Sequence, residues 1–108
     1  MSGPPEYTAY KLFRVRRDGT LGSLFVDRKR ILKLGEWLGA KLDLDPRPRG
    51  LAKRPGWHCL ERPNAPHLSE RGRVWCRVSI RDFREMKRPE SQGGRWWIAT
   101  IIKIEEIL

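Results

Sequence analysis

The chain has 108 residues, 39% of them apolar and 33% charged, which fits one small domain with a modest core. Its 23 basic and 13 acidic residues give a net charge of +10, and Arg outnumbers Lys by more than two to one. No run of 18 apolar residues occurs and there are only 2 cysteines, so neither a membrane-spanning helix nor a disulfide-stapled secreted scaffold is expected.

In chain order, Met1 to Glu6 carries Gly3, Pro4 and Pro5 without periodicity and reads as a disordered lead-in to one globular domain over 7–108. Tyr7 to Arg17 alternates: Lys11, Phe13, Val15 and Arg17 fall on one face, and Tyr10, Leu12, Arg14 and Arg16 on the other. That is a strand. Asp18-Gly19 then signals a tight hairpin, with Leu21 to Val26 as the returning strand.

Asp27 to Gly35 sets Arg28, Lys29, Arg30 and Lys33 beside Ile31, Leu32 and Leu34, a pattern that fits either a helical turn or a polar excursion before another strand. Glu36 to Leu42 leans to a strand, because Gly39 in its middle weakens a helix by about 1 kcal/mol. Asp43 to Gly50 alternates Pro with charge and reads as an exposed loop. A Pro55-Gly56 turn leads into a short strand from Trp57 to Glu61, followed by a loop from Arg62 to Gly72 with one turn around Ala65 to Leu68.

Arg73 to Ile80 is the clearest strand: Val74, Cys76, Val78 and Ile80 form its core face, and Arg73, Trp75, Arg77 and Ser79 the opposite one. Arg81 to Arg88 reads as a charged connector around Phe83, with a helical turn as the alternative, and Pro89 to Gly94 as a loop. The β-branched run from Ile98 to Ile104 favours a long, largely buried final strand. The expected fold class is α+β, a mostly antiparallel or mixed sheet of five or six short strands with little helix.

Two constellations bear on function. Arg14 and Arg16 on one strand, with Arg73, Trp75 and Arg77 on another, would set guanidinium groups beside an aromatic ring if those strands share a sheet face. Single-stranded nucleic acid is bound in that way, cations tracking phosphates and rings stacking bases, whereas a solvated face with Arg stems over apolar rings is the plainer alternative. The second is the stretch from Arg54 to Leu68, which holds both histidines and one cysteine and suggests a cleft lined by Arg54, Trp57, His58 and His67.

His58, Cys59, His67 and Cys76 have ligand atoms suited to zinc but lack the paired spacing of a tetrahedral site, so no metal is expected. His58 and Cys59 are strand neighbours pointing to opposite faces and cannot form a nucleophile pair. Ser91-Gln92-Gly93-Gly94 offers backbone amides without the spacing of a phosphate loop, and Trp96-Trp97 is expected to split between core and surface.

The stretches YKLFRVRRDGTLGSLF, GEWL, RPGWHC, APHLS, GRVW and RPESQGGRWW, in that order from Tyr10 onward, resemble a group of short uncharacterised bacteriophage and prophage proteins. The resemblance implies a phage origin and the cytoplasm of an infected bacterial host, with no established activity. A looser likeness to small ADP-ribosyltransferase-like folds aligns Arg14, the Gly56-Trp57-His58 strand, the turn from Ala65 to Leu68 and the strand from Arg73 to Ile80. It would imply NAD as ligand, gripped by Arg14 with His58 orienting the ribose, while Glu90 matches the catalytic Glu by position alone.

The expectation is a non-enzymatic module, without cofactor or confident catalytic residue, that binds nucleic acid or an acidic nucleoprotein surface such as a host defence complex. An NAD-binding enzyme and a small phage structural or adaptor protein are the alternatives. No membrane partner is expected.

Overall fold

The computed structural model describes residues 6–24, 29–40, 56–92 and 94–108. Among the described residues there are six strands: β1 Tyr7–Val15, β2 Leu21–Gly22, β3 Trp37–Gly39, β4 Trp57–Leu60, β5 Arg73–Lys87 and β6 Arg95–Ile107. Among the described residues the helical element is a single 3-10 turn, Glu90–Gln92, and no helix is long and apolar enough to cross a membrane. The domain is therefore mostly antiparallel sheet: the ladders between these six strands run antiparallel, and an isolated bridge from Leu34 to Ile104 is parallel.

The sheet closes on itself. β1 pairs β5, β5 pairs β6, β6 pairs β4, and β4 returns to β1 through Tyr10 and Leu60. β2 extends the circuit beside β1, and β3 extends it beside β6. Such closure satisfies backbone groups that an open edge would leave unpaired.

Alternation along the strands, broken once in β5 and once in β6, divides the side chains between inside and outside. Ala9 and Phe13 of β1, Trp57 and Cys59 of β4, Cys76, Val78 and Ile80 of β5, and Trp97, Ala99, Ile102 and Ile104 of β6 belong to the interior core. Fully burying an aliphatic or aromatic side chain contributes about 1.5–3 kcal/mol, so this set is the main source of stability. A second apolar cluster lies on the outer wall, where Leu12, Leu60, Trp75 and Trp96 are covered by Ala65 and Leu68 of the loop after β4.

The Asp18-Gly19 hairpin forms as the sequence predicts. Gly19 takes φ 86°, and Asp18 Oδ1 accepts bonds from both the backbone and the hydroxyl of Thr20, which hold its carboxyl below the usual carboxylate range. The returning strand is only Leu21–Gly22, and the expected continuation through Phe25 and Val26 lies outside the described residues. Residues 29–35 are a polar excursion without helix, tied down by bridges from Leu32 to Leu21 and from Leu34 to Ile104. The expected disordered lead-in and the loop from Asp43 to Gly50 fall outside the described residues, apart from Glu6.

The largest correction concerns residues 81–87. The expected charged connector continues β5 to Lys87, paired with β6 from Arg95 to Ile101. Asp82 has φ 50°, a positive value that is uncommon for a residue with a side chain, and the inward positions pass from Ile80 to Phe83 across it. The period of two is interrupted there, which hides the strand from a pattern reading.

Candidate functional site

The Arg/Trp constellation is assembled by the β1–β5 ladder. Arg14 stands directly opposite Arg73, Leu12 opposite Trp75, and Tyr10 opposite Arg77, so the two strands do share an outward face. Arg73 also donates to the Ser69 carbonyl at 3.0 Å, which fixes its stem, and Arg77 pairs with Glu106 at 3.1 Å in solvent. Like charges facing each other across a ladder are destabilising, whereas an exposed Arg–Glu pair contributes little.

Two members of the expected face belong elsewhere. Trp75 is only 8% exposed, under Ala65 and Leu68, and cannot accept a stacked base. The residues that pack against it stand seven and ten positions earlier, in the loop that leads into β5. Arg16 follows the end of β1, and its guanidinium turns back to donate to the carbonyls of Leu21 at 2.6 Å and Arg30 at 2.8 Å. It lies across Gly22, where a β-carbon would come within 2.6 Å of Arg16 Nη2. Arg16 is a brace for the hairpin.

The expected cleft is not assembled from the described residues. Trp57 is inside the barrel, with its indole donating to the Leu38 carbonyl at 3.0 Å, while half-buried His58 points the other way from the same strand. Exposed His67 rests against Trp96, with ring centroids 5.8 Å apart. Burial and the neighbouring Arg88 charge hold its imidazole below its ordinary pKa. Arg54 lies outside the described residues. The barrel wall also separates both interior cysteines from both histidines, and Glu90 stands on the 3-10 turn beyond the opposite end of β5 from Arg73.

Sequence reasoning missed the Trp37 cluster. Trp37 is half-buried on the outer side of β3, opposite Lys103 of β6, with the Arg81 guanidinium 4.0 Å and the Lys103 amine 4.9 Å from its ring centroid. The signal was the outward phase of β5, which runs Arg73, Trp75, Arg77 and Ser79 and continues to Arg81. Arg81 was assigned to a connector, so that continuation went unread.

Inside the barrel, Lys11 shares the inward phase of Ala9 and Phe13 and donates to the His58 carbonyl at 2.9 Å. Its burial lowers the amine pKa, against a smaller opposing influence from Cys59. Burial pushes the thiols of Cys59 and Cys76 up to about 11, so both are protonated and unreactive near neutral pH. On the hairpin arm formed by β5 and β6, a shallow depression is lined by Glu85, Lys87, Arg88, Gly94 and Arg95. Glu85 bonds Arg95 at 2.9 Å and raises its pKa.

Cations thus stand on the outer wall, while both thiols are buried inside and Lys11 is half-buried from the inner side. Comparison with family models, with curated proteins and with solved structures gives no match.

Proposed function

We propose that this chain is a non-enzymatic binding module for nucleic acid, free or within a nucleoprotein, acting in an infected bacterial host. The observation that carries the reading is the cross-strand pairing of Arg14 with Arg73, continued by Arg77, on the outer wall of a chain with net charge +10. A polyanion placed along this row meets guanidinium groups that fork onto phosphate oxygens.

Replacing both residues, Arg14→Gln with Arg73→Gln, is expected to weaken single-strand binding. It should also flatten the slope of log affinity against log salt by about 1.4, two phosphate contacts at about 0.7 each. Fluorescence anisotropy titrations over a salt series read both quantities. An unchanged affinity and slope in the folded double variant would remove the proposed face.

A further inference from the structure

The outward row of β5 does not stop at Arg77. Arg73, Arg77 and Arg81 recur every fourth residue on one side of one strand, spanning roughly 26 Å at about 3.3 Å per residue. At the far end the row reaches Trp37. There the register aligns Thr8 of β1, Ser79 of β5, Lys103 of β6 and Trp37 of β3 across four neighbouring strands.

Gly39, two residues on and opposite Ile101, has no side chain to crowd this wall, and a β-carbon there would meet nothing within 4 Å. Arg81 and Lys103 keep 33% and 27% of their side chains exposed. Both cations therefore remain reachable from solvent while their charged heads lie over the indole.

We infer that single-stranded nucleic acid follows the outward row of β5 toward Trp37, where a base stacks on the Trp37–Arg81 pair. The inference rests on the nucleic-acid reading above and names its ligand class and its stacking residue. A guanidinium plane over an indole offers a flat, cationic surface on which any base can lie, and Lys103 beside it supplies a charge for the adjoining phosphate.

Three carboxylates accompany the row: Glu6 at 3.7 Å from Arg81, Glu105 at 3.8 Å from Lys103, and Glu106 at 3.1 Å from Arg77. The Arg81 and Arg77 pairs reach solvent, where such pairs are weak and phosphates compete for the same donors, while Glu105 is more covered and also accepts from the Ser79 hydroxyl at 2.6 Å. Trp75, the ring in the middle of the row, is covered and takes no base.

The test uses uridine and thymidine oligomers about eight nucleotides long, with inorganic polyphosphate as a polyanion that has no bases. Trp37→Leu is expected to lose about tenfold in affinity for the oligomers, keep its polyphosphate affinity, and recover most of the loss in Trp37→Phe. Crosslinking of the unaltered protein with 5-iodouridine oligomers should label the peptide that carries Trp37, a readout independent of how the variants fold.

Tight oligomer binding that is unchanged in folded Trp37→Leu, or crosslinks confined to other peptides, would overturn the stacking site and leave the basic row standing. Equal affinity for polyphosphate and oligomers would overturn it too, pointing to charge alone. If the unaltered protein binds no oligomer even at low salt, the underlying nucleic-acid reading fails. A complex with an acidic protein surface would then be the better account of the row.

Discussion

Lys11 brings an amine to the inward side of a barrel wall whose other inward residues are mostly hydrocarbon, and its bond to the His58 carbonyl offsets only part of the desolvation. The folded pKa lies below the ordinary 10.5 because burial disfavours the charged form. The native state thus binds fewer protons than the unfolded chain between the lowered value and 10.5. The stability contribution of Lys11 is fully present above 10.5 and is lost as pH falls through the lowered value. Compared with Lys11→Met, the unaltered protein is expected to gain about 1.4 kcal/mol per pH unit within that window. Denaturant midpoints of both proteins from pH 6 to 10 check this, the cysteine contributions being largely common to the two. A difference in midpoint that stays constant over the range would show that the amine is hydrated. The inward phase of Lys11 was legible in the alternation of β1, but the burial of its amine was not, because it depends on how closely β4 approaches.

At the scale of elements, the start of β4 depends on Gly56. Its φ of 128° is outside the range favoured by residues with a β-carbon, and such a carbon would lie 2.5 Å from Ile98 Cγ2 and 3.0 Å from the Ala99 carbonyl oxygen. Gly56→Ala is expected to cost about 3 kcal/mol, from backbone strain together with overpacking against β6, and thermal or denaturant unfolding would read the loss. A change under about 0.5 kcal/mol would mean that β4 can shift away from β6.

The Asp18-Gly19 hairpin was legible from local chemistry, as were the short strand from Trp57, the core face of β5 and the long final strand. Readings that failed depended on tertiary partners. The extension of β5 past Asp82 is held by Arg95 to Ile101 of β6, and no local pattern announces it. Trp96 was expected to share its pair's division between core and surface. It does face outward, but the loop bearing Ala65 covers it and its indole donates to the Gln92 carbonyl at 2.7 Å. The same cover hides Trp75, which separates the expected site from the observed one. Charge was legible; accessibility was not.

For the whole molecule, closure of β1, β5, β6 and β4 into a circuit gives a stiff wall on which the outward residues keep fixed spacing. A rigid row of cations loses little side-chain and backbone freedom on meeting a polyanion, so more of the electrostatic gain is kept as affinity. The net charge of +10 supplies attraction at a distance, and the row along β5 gives that attraction a direction. The most direct test is to titrate the unaltered protein with single-stranded RNA, single-stranded DNA and duplex DNA, each at low and at physiological salt. The account predicts salt-graded binding that survives physiological salt for a single strand and exceeds that for the duplex. Absence of binding to all three at low salt would contradict it.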